Sequence, residues 1–115
     1  MKSLKNCIKL KSQVKIYVPS TTEVDKPIEN NEWVDKTLTF LSSSFGGATT
    51  TKALGAWITN DGKLVKENVN LCFAFADQSQ LENKIDEIYN FCVEMKIELK
   101  QEAIALEVNG ELYLI

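Results

Sequence analysis

The residues best suited to recognition or chemistry are a tyrosine, a hydroxyl run just after it, an indole and a carboxylate: Tyr17, Ser20, Thr21, Thr22, Trp57 and Glu107. Aromatic rings stack and attract cations on their faces, hydroxyls donate and accept hydrogen bonds, and a carboxylate on an apolar surface is readily tuned by burial. These six are the candidate ligand- or partner-binding residues. None completes a catalytic constellation, and no catalytic residue is assigned. The sequence contains no His, which excludes Ser-His and Cys-His nucleophile activation and removes the commonest acid-base group. Cys7, Cys72 and Cys92 form no CxxC pair and have no His to complete a tetrahedron, so no zinc site can be written from one chain. Neither metal nor cofactor is expected. Cys72 and Cys92 read as small buried hydrophobes of a reducing compartment. Glu23 and Asp25 lack a partner that would make them an acid-base pair, and solvation accounts for them.

The elements that must position these residues emerge from periodicity. Between Cys7 and Val18 the apolar residues Ile8, Leu10, Val14, Ile16 and Val18 fall on even positions, which predicts a strand. Residues 19–31 hold both prolines and read as a long polar loop, with Asn30 or Asn31 placed to cap a helix. Val34, Leu38, Leu41 and Phe45 recur at helical spacing and predict a helix over 32–45, ended by Gly46-Gly47. The run Phe45-Gly-Gly-Ala-Thr-Thr-Thr-Lys52 suggests a phosphate cradle, but its glycines close a helix rather than open one, where the dipole is of the wrong sign. Residues 48–59 predict a strand, Asn60-Asp61-Gly62 a hairpin turn, and the alternation through Phe73 and Phe75 the returning strand. Asp77 then caps a helix over 78–100, apolar at 81, 85, 88, 92, 95 and 99. Asn109-Gly110 joins two final strands.

The order β-α-β-β-α-β plus a terminal strand predicts an α+β, ferredoxin-like sandwich: an antiparallel sheet with two helices on one face. A chain of 115 residues holds one such domain, 14–115, preceded by an N-terminal segment, 1–13. With 44% hydrophobic residues the chain can fill a core, and no apolar run is long enough for a leader or a membrane span. A cytoplasmic protein with no membrane partner is expected.

Large residues are expected beneath the helices: Val14, Ile16, Val18, Leu54, Ala56, Ile58, Leu71, Phe73, Phe75, Ile104 and Leu106. The pleat then sends Tyr17, Ala53, Gly55, Trp57, Cys72, Ala74, Ala76 and Ala105 to the open face, joined by Glu107, Leu112 and Leu114. Such a face is poorly suited to water and needs a cover: a second copy, the N-terminal segment or a ligand. Nucleic acid is a poor candidate. All 13 basic residues are Lys, the net charge is −3, and this register gives the central strand no aromatic residue.

The motifs Lys15-Ile-Tyr-Val-Pro-Ser-Thr-Thr22, Phe45-Gly-Gly-Ala-Thr-Thr50, Gly55-Ala-Trp57 and Asp61-Gly62 resemble a set of small proteins from bacteria and their phages and plasmids. The similarity spans most of 14–110 and leaves 1–13 outside. The group has no agreed activity, so the resemblance implies no catalytic role. It implies only the context of an accessory protein, with inhibition of a host protein as one example.

Two functions compete. The first is a non-enzymatic interaction module that self-associates through its sheet and holds a host or phage protein with the 19–31 loop and the rim around Trp57. The alternative is a small enzyme or small-molecule binder whose open face forms a pocket lined by Tyr17, Trp57 and Glu107.

Overall fold

A computed structural model describes residues 2–22, 26–27 and 30–115, with side chains described for all of these except 2, 21, 22, 26 and 27. Strand β1 runs Ser12–Pro19, and the short strands β2 (Thr21–Thr22) and β3 (Lys26–Pro27) pair with each other. Helix α1 is Asn31–Phe45, β4 Thr49–Ile58, β5 Leu64–Ala76, α2 Gln78–Glu98, β6 Ala105–Val108 and β7 Glu111–Leu114. The main sheet has the order β4-β5-β1-β6-β7, with every neighbouring pair antiparallel. This is the ferredoxin-like α+β fold with one added edge strand.

Local chemistry sets the joints. Asp77 accepts the amide of Ser79 and starts α2. Gly46, at φ +93°, donates its amide to the Ser42 carbonyl and ends α1, so the glycine pair is a helix terminus. Asn109 and Gly110 both have positive φ, the backbone that a two-residue hairpin turn requires. Asn30 occupies the cap position of α1 without capping it. Its amide instead donates to the Pro19 carbonyl and the Asn70 side chain, fastening the helix start to β1 and β5.

The core corrects the expected register of β5. Val14 lies opposite Ala74 and Ile16 opposite Cys72, so Cys72, Ala74 and Ala76 lie beneath the helices and Leu71, Phe73 and Phe75 face the open side. Volume explains the inversion. Trp33, Leu41, Ile88 and Met95 descend from the helices, and Val14, Ile16 and Val18 rise from β1, so small residues on β5 fit the remaining space. Size suggested that Phe73 belongs inside; complementarity with the helices puts it outside. Trp33, which the helical spacing did not single out, is buried edge-on to Phe91.

Two further differences concern length. The first strand begins at Ser12 rather than near Cys7, because its partner β5 gives way to α2 just after Ala76, opposite Ser12. Residues 3–11 therefore stand off the sheet, and Ile8 is 94% exposed. The β4–β5 hairpin overhangs the helical layer. Leu54 and Ile58 lie on the helix side by pleat, yet no helix covers them, and Ile58 is 68% exposed. No helix among the described residues is long and apolar enough to cross a membrane.

Candidate functional site

The open face is more aromatic than expected. The pairs Tyr17–Leu71, Lys15–Phe73 and Gln13–Phe75 place the side chains of β1 and β5 on one surface, and Glu107 joins opposite Lys15. Phe75 is 51% exposed. Polar groups form a small cluster in this apolar setting. The Tyr17 hydroxyl donates to Glu107 Oε1 at 3.1 Å, Lys15 Nζ lies 3.8 Å from Glu107 Oε2, and the same ammonium sits 5.9 Å from the centre of the Phe73 ring. Burial, and then the Glu107 carboxylate, push the Tyr17 hydroxyl above its ordinary value, so it keeps its proton and remains a donor. Glu107 is thus not a bare carboxylate among alanines but one shared between an ammonium and a phenol.

Trp57 lies on the same face but not in the same cluster. It pairs with Val65, six residues along β5 from the partner of Tyr17, a separation of about 20 Å at strand rise. Its indole N–H donates to Glu67 Oε1 at 3.4 Å. Glu67 escaped the sequence reading because its face depends on the β5 register; once Val65 and Leu71 turn outward, Glu67 must as well. One chain therefore presents two half-sites, Tyr17–Glu107–Lys15 with Phe73 at the centre and Trp57–Glu67 on the overhang. The expected single pocket lined by Tyr17, Trp57 and Glu107 is not formed within one chain.

The hydroxyl run resolves differently. The Ser20 hydroxyl donates to the Asn68 carbonyl and latches the end of β1 to β5, a structural use. The backbones of Thr21 and Thr22 form β2. Their side chains, and Glu23, Asp25 and Glu29, lie outside the described residues. Among the described residues no group of three or more His, Cys, Asp or Glu is placed to hold a metal ion. Burial raises both inner thiols, Cys92 to about 12, which keeps them protonated and inert.

No protein-family model matches the sequence, and no curated protein matches it. Solved structures do. A phage SAM lyase in complex with S-methyl-5'-thioadenosine aligns at TM-score 0.67 and 17% identity, covering 97% of this chain and 95% of that one. A phage SAM lyase in the apo state aligns at TM-score 0.66 and 18% identity, over 96% and 93%. At this identity the likeness establishes the fold, end to end. It overturns the expectation of a non-enzymatic interaction module, because both neighbours are lyases and share this fold over nearly their whole length. Of the two readings, it favours the alternative, an enzyme or small-molecule binder.

Proposed function

We propose that the chain is a small enzyme that cleaves a sulfonium nucleoside of the S-adenosylmethionine type. The observation that carries this reading is the full-length match to a lyase caught with a thioether nucleoside, joined to an open face whose groups suit such a substrate. Tyr17 and Phe73 offer ring faces to a sulfonium, and the carboxylates of Glu107 and Glu67 offer charge of the right sign. Trp57 offers a plane on which a purine stacks.

The chemistry demands little from the protein. When the bond between sulfur and Cγ of the amino-acid chain breaks, sulfur takes the electron pair and leaves as a neutral thioether, S-methyl-5'-thioadenosine. The four-carbon fragment balances the charge by closing its own carboxylate onto Cγ or by losing a proton from Cβ. The leaving group needs no proton, so a chain without His is no worse equipped. What the protein supplies is orientation and exclusion of water.

Because the two half-sites are about 20 Å apart along β5, we also propose that copies associate through the open sheet face. The Trp57 hairpin of one copy then lies against the Tyr17–Glu107 cluster of another. This retains the expected homo-oligomer and gives the overhang a purpose.

Incubation of the purified protein with S-adenosylmethionine, with the products read by mass spectrometry, tests the reading. S-methyl-5'-thioadenosine should accumulate, and Glu107→Gln should lower its rate about 10²-fold, the usual cost of losing a charged contact to a transition state. Absence of the thioether product at high protein concentration would exclude the lyase reading.

A further inference from the structure

A groove of about 630 Å³ lies on the side of the molecule away from the proposed active face, between α2 and the β6–β7 hairpin. Its walls are apolar: Leu81, Ile85 and Tyr89 from the helix, Val108 and Tyr113 from the hairpin, and Ile115 just past the end of β7. Glu82 lines it, and Glu111 stands beside it, within reach of the Tyr113 hydroxyl. The outer backbone edge of β7 borders the same groove and pairs with no strand among the described residues.

The N-terminal arm, residues 3–11, has the complementary character. Leu4, Ile8 and Leu10 are exposed, and in an extended chain Ile8 and Leu10 share one side, with Lys9 and Lys11 on the other. The arm has no acidic residue, and with Lys5, Lys9 and Lys11 its charge is opposite in sign to that of the carboxylates at the groove. Its root also lies at the groove: the Ser12 hydroxyl donates to Gln78 Oε1, and Gln78 is a lining residue.

We propose that the groove receives the N-terminal arm of a second copy of this chain. Topology favours exchange over folding back. Ser12 sits opposite Ala76, where β5 gives way to α2, and α2 then returns along the sheet. An arm entering its own groove has to reverse direction at its root, yet residues 8–11 form no turn or bend, and the turn that the arm does make, closed by the Cys7 amide on the Leu4 carbonyl, lies farther out. An arm from a neighbour enters straight, and two such insertions close a two-fold pair. Ile8 and Leu10 leave water, and the edge of β7 gains a strand partner. This interface uses the face opposite the proposed active surface and is independent of that reading.

Cys7, an exposed thiol within the arm, is a built-in reporter. Two differently tagged full-length forms are mixed, one with Cys7 intact and the other carrying Cys7→Ser and Ile85→Cys, and then mildly oxidised. A disulfide joining the two tags should form, and Ile8→Asp on the first form should reduce its yield at least about tenfold while circular dichroism stays unchanged. Either of two results overturns the proposal: a cross-tag yield indifferent to Ile8→Asp, or, in a single chain carrying Cys7 and Ile85→Cys, a disulfide confined to the monomer. Light scattering provides the second measurement, because deletion of residues 1–11 should lower the mass of the assembly, and an unchanged mass counts against arm exchange.

Discussion

The two halves of β5 belong to one continuous strand and live in different environments. From Asn70 to Ala76 the strand lies under two helices with β1 beside it; from Leu64 to Val69 it is paired largely with β4 and uncovered on both faces. Alternation therefore encodes the pleat and says nothing about what stands above it. In the inner half the apolar residues hold the fold together. In the outer half, Leu64 and the neighbouring Trp57 and Ile58 of β4 expose apolar surface that a lone domain gains nothing by displaying.

The sharpest test of this contrast is a pair of identical truncations. Ile16 is fully buried, and Ile16→Ala should cost about 3–4 kcal/mol in denaturant unfolding, within the range for core isoleucines. Ile58→Ala, measured at a concentration where the protein is monomeric, should change stability by less than about 0.5 kcal/mol. Comparable losses would mean that the overhang is packed in the free monomer and the contrast is wrong.

Activity should divide in another way. Trp57→Ala should leave the unfolding midpoint of the monomer unchanged and slow thioether release about 10- to 100-fold, the value of one stacking platform. Mixing it with Glu107→Gln should restore activity above that of either variant alone, because an intact Trp57 from one copy then meets an intact Glu107 from the other. Additive residual rates in the mixture would confine the site to one chain.

The smallest effect concerns Tyr17. Its folded-state value is raised, so the folded protein holds the proton more tightly than the unfolded chain does. The associated stabilisation is complete below the ordinary phenol range near pH 10 and is lost as pH rises through the raised value. Tyr17→Phe should cost about 1 kcal/mol at neutral pH and flatten the alkaline loss of stability. A variant as steep above pH 10 as the parent would show that another group governs that limb.

The sequence disclosed the fold better than the site, for identifiable reasons. The helical series from Leu81 to Met95, the Asp77 cap and the Asn109-Gly110 turn are local signals, each readable within a short stretch of chain, and together they fix the order of elements. Which residues of β5 face outward depends on the pairing Ile16–Cys72, a contact between distant segments with no local trace. The same slip concealed Glu67 and wrongly denied the central strand its aromatic residues. Tyr17 and Glu107 were legible as candidates because the alternation along β1 and the nearby Asn109-Gly110 turn set their faces locally. Their mutual hydrogen bond was not, since it joins residues 90 apart.

One pairing also bears on how the chain is made. Asn109 accepts the amide of Gln13 through its side chain and donates its own amide to the Gln13 carbonyl, closing β6 on β1 across 96 residues. During synthesis β1 leaves the ribosome well before β6, the strand that completes its second side. The β4–β5 hairpin, closed by local contacts, can form in between and shield one side of β1 in the meantime. The other side stays open until β6 has been made, so while the intervening residues are added the nascent chain offers chaperones an incomplete sheet.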